Sequence, residues 1–264
     1  MTDQTPLDAA HAAMQADPAD DAARLRFYER LAETELFLML ETEAGDDSDQ
    51  ITPELFELDD ARFVLVFDRQ ERLAGFAGGT APFVSLSGRA IAGMLQGQGI
   101  GLAVNPDVAP SSILLPEEAV EWLNGILANQ PDETEARIVE VRAPGGLPET
   151  LISALDAKLA TAMGLALHAC LVGVRYSDDT AGHLLGFVGA VPGAETALAR
   201  AAGEALSFSG IEAGAMDVAF FRANEPMAER LERAGLRFDL PQAQEASTLR
   251  PAPGRDPARP PKLT

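Results

Sequence analysis

The side chains of this chain that could do chemistry are few, and their spacing can be tested residue by residue. His168 and Cys170 alternate on one face of an extended run, close enough to interact, and a Cys–His pair is one way to make a thiolate nucleophile. Both sit inside L-A-L-H-A-C-L-V-G-V with no orienting Asn or Asp nearby, so the pair reads as part of a buried strand. Gly97 to Gly101 (G-Q-G-I-G) has the look of a phosphate loop. It follows a helix and leads into a strand, the reverse of the strand-to-helix order that points backbone N–H groups at an anion. Glu117, Glu118 and Glu140 are candidate acid–base carboxylates, but the first two fall where a helix N-terminus favours negative charge. The Asp46–Asp49 run lacks the glycine and terminal glutamate of a calcium loop. Three dispersed histidines make no metal site, and no G-x-x-x-x-G-K-[ST] occurs. These readings predict no catalytic residue, no metal and no cofactor.

One locus carries a binding expectation. Ser87-Gly88-Arg89 opens a helix directly after a strand, and Asn105-Pro106 ends a neighbouring one. Ligands of open α/β sheets gather at the end where strand-to-helix loops converge. Free N–H groups and a guanidinium at Ser87, Gly88, Arg89 and Asn105 would suit a carboxylate or a peptide C-terminus.

The elements that must position these residues follow from pattern. Residues 6–33 read as two helical segments broken near Pro18, and Thr34–Glu41 as a strand. Phe63–Phe67 is a strand buried on both faces, followed by a helix over Arg69–Phe76 closed by Gly78-Gly79. Phe83–Leu86 is a strand, Ser87 caps a helix through Leu95, Ile100–Val104 and Ile113–Leu115 are extended, and Pro116 opens a helix to Asn129. After a linker at Asn129–Thr134 come strand (137–141), helix (148–163), strand (166–176), strand (183–191), helix (194–206) and strand (215–222). This β-α-β-β-α-β order predicts a ferredoxin-like unit. A further helix (225–234) and a short strand (236–240) complete it, and Pro-rich residues 247–264 read as a flexible tail.

At 264 residues and 47% hydrophobic, the chain has material for two packed domains. The single cysteine excludes an internal disulfide. Neither a secretory leader nor an apolar stretch of bilayer length is recognisable, which predicts a cytoplasmic protein with no membrane partner. Net charge is −21. Residues 1–60 hold 17 Asp and Glu against three Arg, whereas residues 247–264 are net +3. A field this negative repels nucleic acid; it maintains solubility, or, on a sharper reading, selects a basic partner or suppresses self-association.

The order of phrases from Phe63 to Ala119 (F-V-L-V-F-D, P-F-V-S-L-S-G-R, G-I-G-L-A-V-N-P, I-L-L-P-E-E-A) resembles the N-terminal domain of the SseB (enhanced serine sensitivity) family of bacterial proteins. The second unit, with H-L-L and M-D-V-A-F-F at its strands, looks like the family's C-terminal domain. L-V-F-D at 65–68 departs from the family's P-V-F-T type of strand end. The resemblance implies an α+β protein with an SseB-like unit (34–130) and a ferredoxin-like unit (135–240); an acidic helical extension (1–33) and a basic tail (247–264) lie outside its pattern. It implies no defined reaction. The expected function is a non-catalytic adaptor or regulatory protein that binds another protein. The family name offers an alternative, a sensor or enzyme of amino-acid metabolism. A secretion-associated role rests on a shared label alone.

Overall fold

The computed structural model describes residues 4–42, 51–59, 61–128, 136–211 and 216–242. The linker and tail expected at 129–134 and 247–264, and the acidic run at 46–49, lie outside them.

Two helices open the chain, α1 (Pro6–Ala16) and α2 (Asp21–Glu33). Thr5 caps α1 by accepting from Asp8 N, while the Asp8 carboxylate accepts from Thr5 N. This reciprocal box satisfies two N–H groups that would otherwise lack partners. Strands β1 (Glu35–Met39), β2 (Leu55–Leu58) and β3 (Ala61–Phe67) follow, then α3 (Gln70–Ala77) and β4 (Phe83–Ser87). The unit closes with α4 (Gly88–Leu95), β5 (Gly101–Val104), β6 (Ile113–Leu115) and α5 (Glu117–Ala128).

The sheet runs β4-β1-β3-β5-β6, with β2 on the β1 side of β3. Only β3 and β5 are parallel. Alternation in β3 sends Val64 and Val66 to one face and Phe63, Leu65 and Phe67 to the other. The first face is covered by α1, α2, α4 and α5 through Leu7, Phe27, Leu31, Ile91 and Leu123. Among the described residues the second face is covered by α3, through Leu73 and Phe76. The two N-terminal helices are therefore part of the first core.

The second unit comprises β7 (Ile138–Arg142), α6 (Glu149–Ala160), β8 (His168–Tyr176), β9 (Ala181–Val188), α7 (Glu195–Phe208), β10 (Met216–Phe221), α8 (Pro226–Ala234) and β11 (Leu236–Asp239). With these elements and two mixed sheets the protein is α+β, as the sequence predicts. The ferredoxin-like detail is corrected. In that fold the β-α-β crossovers join parallel strands with another strand set between them. Here β7 pairs antiparallel with β8, so the α6 connection is no crossover, and β10 lies immediately beside β9 in parallel. The order β10-β9-β8 is consecutive, with β7 and β11 sharing the far edge of β8.

The units meet through helices. Phe208 of α7, 2% exposed, joins the first core, and Arg89 of α4 and Glu33 of α2 reach ion-pair partners on α6 and α7.

Candidate functional site

The first sheet delivers its predicted site residues to one end. β1 is antiparallel to both β3 and β4, and β5 is parallel to β3. Ser87, Asp68 and Asn105 therefore leave their strands at the same end, beside Glu35 at the start of β1. With β1 and β3 between them, β4 and β5 stand about 14 Å apart, three strand spacings. The four predicted residues thus share an end without converging on one point.

Each takes up a local task. The Ser87 hydroxyl accepts from Ala90 N at 3.2 Å and caps α4. Gly88 crosses α2 so closely that a Cβ there would lie 2.0 Å from Leu31 O. Arg89 donates to both carboxylate oxygens of Glu204, at 2.6 and 2.9 Å. Asn105 is fully buried with φ +47, a left-handed conformation that Asn tolerates better than most residues.

Asn105 belongs to a buried polar clamp that pattern reading missed. Arg72 on α3 grips Asp8 of α1 through two bonds, of 3.0 and 2.5 Å, and donates to Asp68 at 2.8 Å. The Ser111 hydroxyl donates to Asp8 at 2.5 Å and accepts from Asn105 Nδ2 at 2.9 Å. The Asn105 carbonyl oxygen accepts from Asp68 N, and the Thr5 hydroxyl donates to Asp68 at 2.6 Å. Burial opposes ionisation of Asp8, but the bonds from Arg72, Ser111 and Thr5 hold its carboxyl well below the usual range. The only sequence signals for this clamp are the Asp68–Arg72 i,i+4 spacing and the Thr5–Asp8 cap spacing.

A second buried cluster joins the units. Lys158, 7% exposed, lies 2.6 Å from Glu33 and 2.9 Å from Glu204, with Glu29 at 3.6 Å. Burial disfavours the Lys158 charge, yet Glu33 and Glu204 raise its pKa above the ordinary value. Glu204 resists its own burial in the same way, lowered by Arg89 and Lys158. Glu29 is raised, because desolvation there outweighs Lys158.

Beside the clamp, between β1 and the start of α3, lies an open groove of about 500 Å³, lined by Glu35, Phe37, Asp68, Arg69, Gln70 and Glu71. Arg69 at the N-cap of α3 supplies no side-chain cap, and among the described residues it makes no ion pair.

His168 and Cys170 are both buried on the α8 side of β8. Desolvation pushes the Cys170 thiol up, leaving it protonated and poorly nucleophilic. His168 Nε2 stands 2.9 Å from Glu232 Oε1 but outside hydrogen-bonding geometry. Gly97 and Gly99, both at positive φ, form the helix-to-strand turn, and Glu117 and Glu118 occupy the first turn of α5. Among the described residues no three His, Cys, Asp or Glu side chains gather as a metal site. No helix among them is long and apolar enough to cross a membrane.

The first unit is thus a mixed sheet with four helices on one face, one on the other among the described residues, and a polar clamp at its loop end. Residues 7–122 match the family model described as the SseB protein N-terminal domain. The match includes α1 and α2, which the sequence reading had set apart as an extension. No curated protein and no solved structure matches the chain.

Proposed function

We propose that the chain is a non-catalytic adaptor or regulatory protein that binds another protein through the α3 side of its first sheet. The observation that carries this reading is the apolar surface left open there. Phe83 pairs in register with Met39 and packs edge-to-face on Phe37, while Phe56 lies opposite Phe63 and Leu114 opposite Ala103. These pairings put Phe83, Phe56 and Leu114 on the α3 side, each 39% exposed. Large apolar side chains exposed on one face of a sheet are a feature of interaction surfaces.

A photo-crosslinker at position 83 in the native cell should capture one protein, which is then purified and recombined with the full chain. Phe83→Glu and Phe56→Glu, at exposed positions, should each weaken that complex at least about tenfold with little change in melting temperature. A complex that tolerates both substitutions overturns the proposed surface. Turnover of a small molecule by the purified protein overturns the non-catalytic reading.

The groove favours a second reading, an amino-acid sensor, because Arg69 and the uncapped start of α3 face Glu35 and Asp68 across a space fit for a small zwitterion. An amino acid at 100 times its Kd would add about 2.7 kcal/mol of stability. A thermal-shift screen of the amino acids separates the two readings.

A further inference from the structure

The geometry points to the outer edge of β4 as a docking strand that adds an extended, apolar-and-basic segment of a partner protein to the first sheet. This inference rests on the protein-binding reading and gives it a mode and a partner chemistry.

The backbone sets the direction. Leu40 N donates to Pro82 O and Gly88 N to Thr34 O, both at 2.9 Å, and the register between them pairs Leu38 with Val84 and Leu36 with Leu86. Even-numbered positions of β4 therefore turn their N–H and C=O groups toward β1. In an antiparallel ladder the direction alternates, so Phe83 and Ser85 turn both groups outward, as Ser87 does its N–H. β4 is the last strand on that side of the sheet. Among the described residues the outward groups of Phe83 and Ser85 have no backbone partner, and both residues are exposed. The N–H that Pro82 lacks would have faced β1, so this proline does not guard the outer edge.

The other edges carry the usual protection against strand addition. Asp217 lies on β10, Glu140 and Arg142 on β7, Arg237 and Asp239 on β11, and β6 has only three residues. From Thr80 to Ser87 there is no charged residue.

The surroundings specify the occupant. An added strand would place one side chain beside the exposed ring of Phe83 and the next on that face beside Ser85. The Ser85 hydroxyl donates to Glu35, which lines the groove with Asp68 and Glu71. An apolar residue opposite Phe83 and a Lys or Arg opposite Ser85 complement that surface. A second copy does not, because two chains of charge −21 repel.

The test uses the full chain and a labelled, capped peptide, Thr-Val-Thr-Lys-Thr-Lys-Thr, followed by fluorescence anisotropy and by amide exchange in NMR spectra. Saturable binding with slowed exchange at Phe83 and Ser85 is expected. Replacing lysine by glutamate in the peptide, or N-methylating its pairing amides, should weaken binding at least about tenfold. Ser85→Pro removes the outward N–H, together with the exposed hydroxyl's bond to Glu35, at a position where an edge strand accepts proline, and should cause the same loss with little change in melting temperature. Should that variant not fold, Phe83→Lys, an edge-guarding charge at an exposed site, should give the same loss. Binding indifferent to these changes, or protection of another strand, overturns the proposal. So does binding seen only after truncation beyond Gln242, which would mean the chain's own tail fills the edge. Concentration-dependent protection of β4 without peptide would overturn it in favour of a second copy. If the purified partner complex survives Ser85→Pro but not Phe83→Glu and Phe56→Glu, strand addition fails while the adaptor reading stands.

Discussion

Asp8 shows how much one side chain can hold together. Its carboxylate is gripped by Arg72 from α3 and by Ser111 from the loop after β5, and it also closes the cap of its own helix. Removing one member of a buried ion pair leaves the other charge desolvated and unmatched, which costs about 3–5 kcal/mol. Asp8→Asn should destabilise the protein by that order in urea titration, whereas Arg24→Ala, which breaks an exposed pair with Asp21, should change stability by less than about 1 kcal/mol. Equal effects would mean that the clamp is not a structural centre. Part of this was open to pattern reading: Thr5 and Asp8 have cap spacing, and Asp68 and Arg72 stand one helical turn apart. The assembly was not, because nothing local links Asp8 to a hydroxyl 103 positions away. The same limit explains Arg89. Its place after a strand advertised a free guanidinium, but its partner, Glu204, is 115 residues distant.

At the scale of elements, the ion cluster turns four helices into one joint. Glu33 on α2 and Arg89 on α4 meet Lys158 on α6 and Glu204 on α7. Glu204→Gln should loosen this joint, leaving Arg89 and Lys158 short of a counter-charge, and a double-mutant cycle with Arg89→Met should show a coupling of about 0.5–3 kcal/mol. Additive effects would mean that the pair contributes nothing jointly. Most elements were legible because burial is written in their periodicity. The run Phe63–Phe67 reads as a strand covered on both faces, and Ser87 as the cap of a helix. β2 escaped because all four of its residues are exposed, so no apolar alternation marks it. The strand order of the second sheet escaped for another reason. The Pro- and Gly-rich connection from Ala143 to Pro148 fits either a crossover or the antiparallel return found here, and element order alone does not choose between them.

Across the whole molecule the buried titratable groups act mostly in one direction. Asp8 and Glu204 are held below the ordinary carboxylate values of 3.8 and 4.5, so their contributions are complete above those values and fade as pH falls through the folded ones. His11 and His168 are lowered from 6.5 chiefly by burial, so below 6.5 the unfolded chain takes up protons that the folded one refuses. Glu29, raised from 4.5, works the other way and offsets part of the loss. The urea midpoint should therefore be flat between about pH 7 and 8, begin to fall below 6.5 and fall again below 4.5. A maximum near pH 5 would contradict this assignment.

The clamp also sets a schedule for making the protein. Asp8 leaves the ribosome before the hydroxyl that completes its shell, which follows 103 residues later, about 5–20 s at ordinary translation rates. During that interval the first two helices cannot bury their apolar faces against a finished sheet.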